Sequence, residues 1–141
     1  MIKPGIALLL LVSFAGCGRQ AELQDVYDPA ALSPVSMVEL IANPRMFHGH
    51  RVSTAGFLNL AFEGNALYLS REHKEAFIPQ NALWFDFPAE MANDLARFNG
   101  SYVSVLALFT HDPKGDGHLG QYSGNVRIDS FNDIRRTGGP P

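Results

Sequence analysis

The sequence predicts a mainly β fold: one small five-stranded barrel, carried behind an export signal. Three observations predict it. Residues 51–131 contain five apolar segments of strand length, several of them alternating and separated by turn residues. A single well-marked helix falls between the third and fourth of them. The chain of 141 residues, 46% hydrophobic and 18% charged, has apolar material for one core and not for two.

The first twenty residues read as a processing signal. Lys3 gives a positive start, and Ile6 to Phe14 is an apolar run broken only by Ser13. The run is too short for a comfortable membrane span, which needs ~20 residues. Phe14-Ala15-Gly16-Cys17 resembles the lipobox of bacterial lipoproteins, with Phe14 where Leu is usual. Cys17 is the chain's single cysteine, so no intramolecular disulfide is available and the fold must stand on its core. The resemblance implies cleavage after residue 16 and acyl chains on Cys17, which would tether the protein to a membrane facing the periplasm. Two or more chains anchor stably, at ~0.8 kcal/mol per buried methylene. Gly18, rather than Asp, follows the cysteine and favours the outer membrane in a Gram-negative host. Residues 17–35 are polar and rich in Ala and Pro without a sustained period, and read as a tether.

The domain is expected over 36–134. Ser36 and Glu39 form a capping-box pattern ahead of a short helix, 37–42, stopped by Asn43-Pro44. Phe47 to His50 is a turn. Arg51 to Ala61 is a long first strand, and mid-strand Gly56 signals a bend. Glu63-Gly64-Asn65 is a hairpin signal leading into a second strand, 66–70. Residues 71–80 form a polar connection with room for one helical turn, and 81–87 a third strand. Pro88 to Phe98 is the clearest helix, with Met91, Leu95 and Phe98 on one face and Asn99-Gly100 as its stop. Residues 101–110 form an apolar fourth strand. A loop rich in Gly and Asp leads to a fifth strand, 122–131, and residues 135–141 form a flexible tail. The order β-β-β-α-β-β behind a leading helix is that of the OB-fold, a five-stranded Greek-key barrel.

Four stretches carry a family resemblance: VELIANPRMFHGHRVSTAGFL (38–58), FEGNALYL (62–69), NALWFDF (81–87) and GHLGQYSGNVRI (117–128). Together they resemble a family of uncharacterised bacterial lipoproteins with an OB-like domain. The resemblance implies fold rather than activity. His48-Gly49-His50 departs from the Asp-Gly-Lys that the pattern favours at this turn.

Charge narrows the function. Lys3 is the only charged residue in 1–16, so the mature chain holds ten basic against fourteen acidic residues. That balance argues against nucleic acid, whose phosphates need a basic stripe. No nucleophile elbow, phosphate loop or paired-cysteine motif is present, and no cofactor is implied. In an OB-fold the loops after strands one and four frame the ligand face. The candidate ligand-binding residues are therefore Glu63, Asn65, His118 and Tyr122 from those loops. Tyr68 and Trp84 join them from strands two and three, where alternation places both on the more polar, outward-leaning side. The reading is a non-catalytic envelope module that binds a protein, glycan or small ligand. The alternative is a metal-binding protein or metal-dependent enzyme using His48, His50, His111, Asp112, Asp116 and His118. A calcium loop at 112–123 is defective as a motif, because Lys114 and Ser123 stand where ligands are required.

Overall fold

The computed structural model describes residues 34–138. The signal segment, Cys17 and the tether up to residue 33 lie outside the described residues. The domain begins slightly earlier than expected: the N–H of Val35 donates to the carbonyl of Ser53 at 2.7 Å, and Val35 is buried.

Helix α1 (Met37–Ala42) starts where its cap was expected, with Ser36 Oγ accepting from the N–H of Glu39 at 3.1 Å. A turn of helix, α2 (Pro44–Phe47), follows and buries Phe47. Six strands come next: β1 (Arg51–Asn59), β2 (Ala66–Tyr68), β3 (Ala82–Asp86), β4 (Tyr102–Thr110), β5 (Asn125–Arg127) and β6 (Ile134–Arg136). Strand β1 pairs antiparallel with β4 over 51–57 and with β2 over 57–59. Strand β2 pairs with β3, β3 runs parallel to β5, and β5 returns to β4. The sheet thus closes into a five-stranded mixed barrel of OB-like form.

Gly56 stands where β1 leaves β4 and turns onto β2. A Cβ there would lie 2.6 Å from Met37 Sδ and 2.7 Å from the carbonyl oxygen of Tyr68. Only glycine allows α1 and β2 to approach this closely.

Strand alternation fills the interior. Val52 and Leu58 from β1, Leu83 and Phe85 from β3, and Val103 and Phe109 from β4 are all fully buried. Met91, Leu95 and Phe98 enter this core together, as their spacing of four and three predicts. The segment carrying them is not one helix. It is a 3-10 turn (Ala89–Met91), a helical turn α4 (Ala92–Leu95) and a second 3-10 turn (Ala96–Phe98), with Pro88 extended before it.

The C-terminal part departs most from expectation. The fifth strand spans three residues rather than ten. Ser130 and Asp133 then form a capping box around the 3-10 turn Phe131–Asp133. Strand β6 pairs Ile134, Arg135 and Arg136 with Val105, Ser104 and Val103. Residues 135 and 136, expected in the tail, are therefore strand. The backbone hydrogen bonds that β5 does not supply along β4 come from β6. Among the described residues, no helix is long and apolar enough to cross a membrane.

Candidate functional site

The loop between β1 and β2 is closed by its own amides. Asn59 Nδ2 donates to the carbonyl of Gly64 at 2.8 Å, and Asn65 Oδ1 accepts from the N–H of Ala61 at 3.1 Å. Asn65 therefore works as a turn residue, holding Phe62 and Glu63 outward. Phe62 is 94% exposed, and Glu63 takes a left-handed backbone at φ 54°.

The loop between β4 and β5 is built around one carboxylate. Asp116 is 1% exposed. Its Oδ1 accepts from the N–H of Asp112 at 3.0 Å and from Asn125 Nδ2 at 2.6 Å, and its Oδ2 lies 2.8 Å from His111 Nδ1. His48 Nδ1 in turn accepts from the N–H of His111 at 3.0 Å. Four of the residues considered for metal are thus spoken for. Asp116 staples the loop with His111 against it, His48 caps the chain at His111, and Asp112 Oδ1 accepts from the N–H of Lys114. His118 lies apart from this cluster, against Glu63. Among the described residues, no group of three His, Cys, Asp or Glu side chains is placed to hold a metal ion.

With its base fixed, this loop lies across the outside of β2 and β3. A Cβ on Gly117 would fall 2.7 Å from the Tyr122 ring and 2.8 Å from Trp84 Cβ. The backbone itself packs on the two aromatics, and φ of +65° there suits glycine. Tyr122 meets Trp84 edge to face, with ring centroids 5.3 Å apart. Phe57, Ala66, Tyr68, Ala82 and Tyr122 form a second buried cluster under this cover.

The expected exposure of Tyr68 is therefore corrected. Its side chain lies outside the barrel, as alternation predicts, but at 2% exposure it is core. Burial, followed by the neighbouring Tyr122 hydroxyl, pushes the Tyr68 phenol up to about 12. Trp84 keeps part of its surface open.

The two loops meet at Glu63 and His118, whose Oε2 and Nε2 are 3.7 Å apart. Both side chains are exposed, so the pair contributes little energy. It marks the middle of a groove. On one side, Trp84, Asp86, Thr110, Asn125 and Arg127 line a concavity of about 560 Å³. On the other, Phe62, Phe77, Leu119, Lys74, Tyr68 and Tyr122 line one of about 570 Å³. Both concavities include Glu63 and His118. Five of the six residues expected to bind ligand thus lie together on this groove; Asn65 supports it from within the turn.

Sequence reasoning missed Phe77 and Leu119. Phe77 follows helix α3 (Arg71–Glu75), which Ser70 caps by accepting from the N–H of His73. Phe77 and Leu119 are 69% and 75% exposed, with φ of 51° and 57°. Among the described residues, the non-glycine residues at positive φ are Glu63, Phe77 and Leu119, and all three line the second concavity. Comparisons of the chain with protein-family models, curated proteins and solved structures return no match.

Proposed function

We propose that the protein is a membrane-anchored envelope lipoprotein whose OB-like domain is a non-catalytic binding module. The binding site is the groove between the β1–β2 and β4–β5 loops. One observation carries this reading: three separate connections each place a left-handed, non-glycine residue on the same concavity. Such backbones cost roughly 1–3 kcal/mol each and collect at sites where a loop must hold a set shape. Two of the three residues, Phe77 and Leu119, are bulky and exposed, so the strain is not offset by burying their own side chains.

The anchor rests on Lys3, the apolar run and the lipobox-like Phe14–Cys17, which lie outside the described residues. It holds the module at the envelope, where a protein, glycan or small ligand can occupy the groove. A photo-crosslinking residue placed at position 77 or 119 in producing cells tests the site. A higher-mass adduct is expected from both, and none from position 135 on β6. Equal labelling at all three positions, or none at 77 and 119, rejects the groove. Intact mass of the membrane fraction tests the anchor: acyl mass on Cys17, lost in Cys17→Ser, is the expected result.

A further inference from the structure

We infer that the Trp84 half of the groove is a subsite for a neutral carbohydrate ring, an inference that rests on the groove being the binding site. Three features of that half lead to it.

The first is a fixed aromatic platform. Trp84 is held by a T-shaped contact with the Tyr122 ring and by the backbone of Gly117 against its Cβ and its ring carbon Cδ2. The part left open borders the 560 Å³ concavity. An indole already immobilised by the fold loses little conformational freedom on binding. Its open part is apolar ring surface of the kind that packs on the C–H face of a sugar ring.

The second is the polar complement. Asp86 and Arg127 are paired at 2.9 Å, Asn125 is oriented by Asp116, and Thr110 lies beside them. A sugar presents adjacent hydroxyls that each donate and accept. Carboxylate oxygens that accept, guanidinium and amide groups that donate, and a hydroxyl that does both make up the matching set. Asp86 and Arg127 hold each other in place and Asp116 holds Asn125, so these three are set before a ligand arrives.

The third is charge, which selects among ligands carrying rings. Arg127 is shared between Asp86 at 2.9 Å and Asp129 at 3.1 Å. Glu63 adds a further carboxylate to the lining. A phosphate or uronate would meet more negative than positive charge, which opposes single-stranded nucleic acid and acidic glycans alike. A neutral ring meets no such opposition. The continuation of the groove past Glu63 and His118 suits a linear oligosaccharide better than a monosaccharide.

Trp84 is the only tryptophan in the chain, so its fluorescence reports this subsite directly. The experiment titrates the full chain in detergent micelles with chitotetraose, with tetragalacturonate and with a short oligothymidylate. A saturable change in emission is expected with chitotetraose, and none with either anion. Asp86→Ala and Arg127→Ala, each checked for an intact fold by near-ultraviolet circular dichroism, are expected to weaken chitotetraose binding at least about tenfold. Silence up to about 10 mM chitotetraose overturns the inference. So does an anion that binds as well, or a folded Asp86→Ala chain with unchanged affinity. If the sugar fails while adducts at 77 and 119 persist, the carbohydrate subsite falls and the groove stands. If the adducts are absent too, the groove itself is lost.

Discussion

Two connections of the barrel do opposite work with opposite materials. Residues 87–101, between β3 and β4, turn Met91, Leu95 and Phe98 into the core. Residues 111–124, between β4 and β5, lie over the outer face of β2 and β3 on glycine backbone and one buried carboxylate. The first connection is held by apolar burial, which is non-directional and tolerates a segment broken into short turns. The second is held by directional hydrogen bonds to Asp116, which fix a loop's shape without a helix or strand. Stability should therefore reside in the first, and the form of the groove in the second.

The largest effect should come from the first connection. Leu95 is fully buried, and Leu95→Ala should cost about 2–5 kcal/mol. Urea unfolding should show a lower midpoint for the whole barrel, with no selective loss in the 111–124 loop. A loss confined to residues 89–98 would mean that this segment is not part of the cooperative core.

Asp116→Ala is the matching test of the second connection. It leaves Asn125 Nδ2, the N–H of Asp112 and the His111 ring without their acceptor. A buried donor left unsatisfied costs about 1–3 kcal/mol. Hydrogen exchange should rise in residues 111–124 while β1 and β4 stay protected, and Trp84 emission should shift as Gly117 lifts away. Uniform loss of protection across the barrel would erase the contrast between the two connections.

How much of this was legible follows the same division. The segment with a helical apolar period revealed its buried face in Met91, Leu95 and Phe98, because burial follows spacing. The 111–124 loop revealed its glycines but not its hub, since Asp116 reads as one candidate metal ligand among several until Asn125 and His111 are seen to converge on it. Tyr68 shows the limit of alternation. A period of two tells which side of the barrel wall a residue occupies, and says nothing about what covers the outside. Phe77 and Leu119 carried no signal, because residue preferences flag glycine and asparagine for left-handed backbone and not phenylalanine or leucine. Strand β6 was not foreseen, although Ser130 and Asp133 have the capping-box spacing that ends the fifth strand ahead of it.

A smaller effect, of opposite sign, tests the barrel interior. Thr54 is 2% exposed, and among the described residues its hydroxyl has no hydrogen-bond partner. Thr54→Val replaces that hydroxyl with a methyl group of similar size. It should stabilise by about 1 kcal/mol, the lower range for an unsatisfied buried group. A higher urea midpoint with an unchanged slope is the expected reading. A loss instead would show that the hydroxyl is satisfied and that the interior is not purely apolar at this position.

The smallest effect at neutral pH bears most directly on the loop as a cover. Tyr68 lies beneath Tyr122, and burial, followed by the Tyr122 hydroxyl, pushes its phenol up to about 12 from the ordinary tyrosine value of 10.0. The unfolded chain therefore releases this proton first as pH rises. The stabilisation that this group contributes is complete below about pH 10 and is lost as pH climbs through 10 towards 12. Tyr68→Phe has no such proton to release. At pH 8 the variant should be slightly less stable, by about 0.5–1.5 kcal/mol, because the Tyr122 hydroxyl loses its partner. At pH 11 the deficit should shrink or reverse, since only the wild type is penalised there. Urea midpoints of the two proteins at both pH values check this. A difference that stays constant with pH would place the Tyr68 phenol in water, and the 111–124 loop would then not seal the outer wall on which the groove is built.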